Sequence, residues 1–432
     1  MLFQAVPMAD CRFARMVLLA VACGACWNIG SRVNAQSFGV ESHNTLMPAS
    51  GGMAGVSISK PQDLTSALNA NPATLTQFTG TQFLFGGAWA EPTFNFTQTA
   101  PIPLLGVTPY DGKSTAQGIA GANIGVTQSL EMMGLPVVFG LGFISNAAGG
   151  ADFRHIPASN STNSSLMVLE LASSAGIQLT DQLSAGATLF VGTGLFDGPF
   201  VEIGGMTSDN ALRASLGLNY QLTESTSLGA YYQTEQSFRF DNAVQFAAGP
   251  PFDVNMDLPQ NVGLGIANTT LMEGRLLLAA DVLYKNWDNA QLYRAVYNDQ
   301  WVLQLGSQYS LGNYRLRSGY AYAQNPIDPT PVNNIGGVFP PGGPPSVRYT
   351  QGLLAITPQH RISVGIGAVD VLPGIDMDLM AGGMFRDTEQ LGPSTTTSVA
   401  SYWIGFGLTW RFGASPAGYT MSPSQVTGFC PQ

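Results

Sequence analysis

Charge is what this chain has least of. Asp, Glu, Lys and Arg make up 10% of its 432 residues, against roughly 25% in a soluble domain. Acidic residues outnumber basic ones, 27 to 17, so no basic face is available for phosphates and nucleic acid is not expected as a partner. Beyond the first thirty-five residues no apolar run approaches the ~18 residues of a helical membrane span. Histidine is limited to His43, His155 and His360. None sits in a His/Cys cluster suited to a metal, none accompanies a nucleophilic serine motif, and no phosphate-cradling glycine loop is present. Neither catalysis, a metal nor a cofactor is expected. Of the four cysteines, Cys11, Cys23 and Cys26 lie near the start and Cys430 near the end.

The start reads as a secretory leader over residues 1–35. Arg12 and Arg15 form the basic region, Met16–Cys26 the apolar core, and Val33-Asn34-Ala35 a small-residue cleavage site before Gln36. A lipoprotein site at Cys23 is the other reading, with a short apolar core. Cleavage at Ala35 would leave Cys430 alone, so no intrachain disulfide is expected.

What the chain has in quantity is glycine, 51 residues, with 14 tyrosines and 45% hydrophobic residues. With low charge and no spanning helix, this composition fits an all-β transmembrane antiparallel barrel. From Thr81 onward the pattern alternates with a period of two. About fourteen strands are expected, near 81–97, 114–128, 134–147, 165–179, 183–194, 209–222, 226–240, 258–269, 274–288, 300–311, 314–324, 359–370, 375–388 and 399–412. Their connectors alternate short and long, as periplasmic turns and outer loops do. Glu131–Met133, Thr180–Gln182 and Gly312–Asn313 are short; Asp241–Asp257, Asn325–Pro358 and Glu389–Ser398 are among the long ones.

The last strand is the clearest. Tyr402, Ile404, Phe406, Leu408, Trp410 and Phe412 share one face, with Trp403, Gly405, Gly407, Thr409 and Arg411 on the other. Such a stripe is a lipid-facing band with interfacial aromatics. Leu277 and Leu283 fall on the inner face beside Asp281 and Lys285, a mixed lining that suits hydrophobic cargo better than a wet channel.

Ahead of the strands, residues 36–80 are small-residue-rich and lack alternation. Asn69, Asn71 and Pro72 interrupt any strand, and Thr74–Phe78 can make a helical turn. This stretch is expected to be a plug inside the lumen, 81–412 the barrel, and 413–432, rich in Pro, Ser and Gly, a disordered tail.

In four places the sequence resembles the FadL/TodX family of outer-membrane transporters for long-chain fatty acids and aromatic hydrocarbons. Asn71-Pro72-Ala73 looks like the family's N-terminal hatch motif. Leu258–Gly265, followed by Asp281-Val282 and Trp287, resembles a pair of its strands. Leu316–Tyr320 and Thr357–Arg361 resemble two later ones. The resemblance implies a monomeric fourteen-stranded barrel in the cell outer membrane, surrounded by its lipid and inserted by the barrel assembly machinery. It also implies cargo capture among outer loops, movement of the hatch, and lateral exit where the third strand is kinked. Here that strand carries Asn146, Ala147 and Gly149, a candidate gate or simply the entry to a loop. Arg154 and His155 beside Asp152 are candidate headgroup contacts or a solvated loop pair. The rival functions are a structural or adhesive barrel, which would need no plug, and a general diffusion porin.

Overall fold

The computed structural model describes residues 41, 43–198, 206–246, 249–355 and 358–412. The expected leader, the tail with Cys430 and residues 36–40 lie outside the described residues.

Among the described residues seventeen strands follow one another: β1 (Thr81–Gln98), β2 (Tyr110–Lys113), β3 (Ile119–Met132), β4 (Leu135–Asp152), β5 (Asn163–Gln178), β6 (Leu183–Asp197), β7 (Thr207–Thr223), β8 (Thr226–Gln233), β9 (Gln236–Gln245), β10 (Pro251–Leu258), β11 (Gln260–Asn268), β12 (Leu276–Asn286), β13 (Gln300–Leu311), β14 (Tyr314–Ala323), β15 (His360–Leu372), β16 (Ile375–Leu391) and β17 (Thr395–Phe412). All but β9 and β10 form one antiparallel sheet. It closes on itself where Thr81 pairs with Phe412 and Gln98 with Thr395. Setting aside β2, a short addition paired to the end of β1, fourteen strands make the barrel.

Closure leaves the sheet without a free outer strand, as lipid requires, because an unpaired backbone group there costs several kcal/mol. Alternation then sorts the side chains. Leu212, Leu216, Leu264, Val364 and Ile404 point outward and are each more than half exposed. Such a continuous apolar belt far exceeds what a soluble monomer shows, and it marks the band that sits in the outer membrane. The inward partners Arg213, Ser215, Ser363 and Trp403 are buried. The short turns match the sequence: Met133 and Gly134 both take positive φ (55° and 76°) in the tight turn between β3 and β4.

Two expectations need correction. The strand expected at 226–240 ends at Gln233, and the alternation from Gln236 belongs to a separate hairpin, β9–β10. The long loop expected at Glu389–Ser398 is a three-residue turn, because β16 and β17 run on to Leu391 and from Thr395. The proline-rich connector before β15 contains a helix, α2 (Pro344–Leu354), opened by two prolines in its first turn, where no N–H is needed. It follows the shorter α1 (Leu64–Asn69).

Candidate functional site

Residues 43–78 lie inside the barrel and are built around Asp63. This carboxylate caps α1, accepting from the Ser66 amide (2.8 Å) and the Thr65 and Ser66 hydroxyls. Its other oxygen accepts the amides of Ala49 and Ser50. Five donors on one side chain fold the segment back on itself. Asn71 does the same at its far end. Its side chain accepts from the Ala73 amide, opening the 3-10 helix Pro72–Gln77, and donates to the carbonyls of Ile58 and of Leu218 on β7.

Small polar groups of the wall reach the segment from all round. Ser184 donates to Ala73, Thr188 to Leu68, Ser215 to Ala70, Gln304 to Ala54 and Asn123 to Leu46, each at a backbone carbonyl. Asp281 accepts the amides of Ser57 and Ile58 at 2.6 and 3.0 Å. Glycine supplies the room: a Cβ on Gly217 would sit 2.0 Å from Asn71 Oδ1, and one on Gly229 2.2 Å from the Ile58 carbonyl oxygen.

An ionic centre holds the head of the segment. The buried carboxylate of Glu41 meets Arg213 on β7 at 2.6 Å, Lys285 on β12 at 2.9 Å, and the side-chain amide of Asn261 on β11. Burial works against its charge, but Lys285 and Arg213 outweigh that and hold the carboxyl well below the ordinary carboxylate range. With the folded pKa below the unfolded one, this stabilisation is present above about pH 4.3 and is lost only as pH falls through the lowered value. Glu41→Gln leaves two buried cations facing a neutral amide, at a cost of about 3–5 kcal/mol. Thermal unfolding in detergent checks this: the variant should melt below the parent at pH 7, and an equal melting temperature would contradict the assignment.

At the long-loop end the barrel carries an apolar crevice of about 450 Å³, its open mouth included. Phe196 of β6, Val254 of β10, Leu292, Val338 and Leu353 of α2 line it, and Ser164 and Thr350 are its polar members. The apolar packing continues inward through Phe238, Trp287 and Val168 to Ala147 on β4.

At Asn146 the ladder between β4 and β5 slips by one residue, so Asn146 is bulged: Ser145 pairs with Leu169, and Ala147 with Val168. On the other side, pairing of β3 with β4 stops at Asn123–Ile144, while β3 continues against β1 to Ile119. Residues 119–122 and 145–148 therefore face each other without ladder bonds. The Ser145 hydroxyl spans the opening, accepting from the Ala122 amide (3.1 Å) and donating to its carbonyl. Of the candidate gate residues, Asn146 is the bulge itself, Ala147 ends the apolar packing, and Gly149 lies just past it.

The candidate headgroup pair sits elsewhere. Arg154 and His155 are exposed beyond the end of β4. Arg154 is held by both oxygens of Asp152 (3.0 and 2.6 Å), and His155 Nδ1 lies 3.2 Å from the Thr115 hydroxyl. His43 is buried beside Tyr231, and His360 opens β15 against Tyr320. The Glu41 centre escaped sequence reasoning, because its members are far apart in the chain and share no motif.

A family model described as a putative outer membrane beta-barrel porin, MtrB/PioB, matches residues 170–325. No curated protein gives a significant sequence match. Among solved structures, the Pseudomonas putida toluene transporter TodX superposes with a TM-score of 0.62 at 17% identity, covering 88% of this chain and 100% of its own. A Pseudomonas aeruginosa FadL homologue gives 0.63 at 13% identity, covering 89% and 100%. The Ralstonia pickettii toluene transporter TbuX gives 0.56 at 16%, covering 88% and 99%. The chain is an outer-membrane β-barrel with the fold shared by TodX, TbuX and the FadL homologue.

Proposed function

We propose that this barrel takes up hydrophobic small molecules, long-chain fatty acids foremost, from outside the cell into the outer membrane. Cargo enters the crevice among the long loops and follows the apolar packing to Ala147. It then leaves sideways between β3 and β4. The carrying observation is that continuity: the crevice and the unpaired edge of β4 belong to one buried apolar surface. A greasy molecule gains by passing into lipid rather than into the aqueous periplasm.

Residues 36–80 act as the plug in this reading. They hold water and polar solutes back, and their rearrangement accompanies passage. Residues 1–35 are the cleaved leader and 413–432 a tail. The chain works as a monomer placed by the barrel assembly machinery, and it is a carrier rather than an enzyme. A monoaromatic hydrocarbon is the second reading, favoured by a crevice lining without a charged side chain and by the toluene transporters that share the fold.

The test is uptake in a Gram-negative host stripped of its own carrier. Expression should raise entry of a labelled long-chain fatty acid above the vector control and leave a polar trisaccharide at background. Entry of the trisaccharide would indicate a porin, and entry of neither a scaffold.

A further inference from the structure

A cation on the lumen face of β15 has no paired carboxylate among the described residues. Arg361 lies on the inward face of β15, in line with Ser363, whose hydroxyl accepts the Ala54 amide, and with Gly365, which touches Gly52. Its Nε is shielded from solvent and meets no acceptor, and among the described residues no carboxylate pairs with it. Of the other inward cations, Arg213 and Lys285 pair with Glu41, Arg317 with Asp378 at 2.5 Å and Arg411 with Asp370 and Asp376, while Arg315, at the turn end of β14, has Asp376 and Asp378 nearby. Arg361 as a whole is half-buried, but a guanidinium with its Nε shielded and no anion beside it is costly, which points to a ligand.

The wall beside it is apolar and leads to the opening. Across the sheet, Arg361 pairs with Met384 on β16. Next come Trp403 on β17, then Ala90 on β1, then Ile119 on β3, the last two in register with it. Met384, Trp403, Ala90 and Ile119 pack as one buried cluster, with Ala148 at the β4 edge against it. Four strand spacings separate Arg361 from β3, about 19 Å of arc.

We infer that Arg361 seats the carboxylate of a long-chain amphiphile whose tail lies along this wall toward the β3–β4 opening. The inference rests on the transport reading and narrows its cargo. A fork of N–H donors suits a carboxylate. A tract of this length suits an extended acyl tail rather than a single ring.

The experiment is equilibrium binding of a fluorescent C16 carboxylate and of its methyl ester to the purified protein in detergent. Arg361→Gln should weaken the acid by about tenfold or more, as expected for one charge-assisted bond in a shielded site, and leave the ester unchanged. Arg361→Lys should keep part of the preference. Equal loss for both ligands would make Arg361 a structural residue, and no loss for either would remove it from the site; both overturn the inference. Failure of the parent protein to bind acid or ester would instead sink the transport reading itself.

Discussion

Deleting residues 43–78 should turn a sealed barrel into an open one, raising entry of a polar trisaccharide by at least about tenfold, toward the behaviour of a general porin. The reason lies in the lining. Wall glycines leave the room that the segment fills, Gly217 for the side chains of Asn71 and Pro72 and Gly229 for the backbone at Ile58. Ser184, Thr188 and Ser215 lose their carbonyl partners and turn to water. The fourteen-strand ladder does not depend on the segment for its own pairing, so the barrel should still assemble; heat-modifiable migration on a gel checks that. Asp63→Ala is the milder version. It removes the acceptor of five donors and should give intermittent leakage without loss of the barrel. An assembled deletion variant as tight as the parent would show that the segment does not seal the pore.

Removing the single residue Asn146 should have the second large effect. Before the bulge Ile144 points inward, and after it Ala147 and Ala151 do. Taking out Asn146 therefore keeps every later side chain on its present face while restoring regular pairing with β5. β4 can then continue its ladder with β3 past Ile144, where residues 119–122 have no partner on the β4 side. The opening should close. Uptake of hydrophobic cargo should fall by about tenfold or more, and the melting temperature should hold or rise as ladder bonds are gained. A fall in uptake with a lower melting temperature would indicate damage instead. Unchanged uptake in a stable variant would place the exit elsewhere.

How much of this was legible beforehand depends on range along the chain. The barrel was, because its signal is local: Tyr402, Ile404 and Phe406 against Trp403, Gly405 and Gly407 needs no partner to be read, and turn length reports sidedness. The β9–β10 hairpin misled for the same reason, since Phe238 and Phe240 alternate as a wall strand would, yet they pack on Gly194 from inside. Asn71-Pro72 marked the interior segment correctly as non-strand. Asp63 could have been suspected as an N-cap from Asp63-Leu64-Thr65-Ser66. The Glu41–Arg213–Lys285 centre and the solitary Arg361 could not, because partnership between residues 172 and 244 positions apart exists only once the sheet has closed.

The most direct measurement is photolabelling by a long-chain fatty acid carrying a diazirine near its tail end, followed by mapping of the adducts on protein in native outer membranes. Adducts on the inward residues Trp403, Ala90 and Ile119 and on Ala148 at the β4 edge are the expected result, and excess unlabelled fatty acid should suppress them. Adducts confined to outward residues such as Leu216, Leu264 and Val364, with the interior unlabelled, would mean that the lipid touches only the outside of the barrel, and passage through it would be refuted.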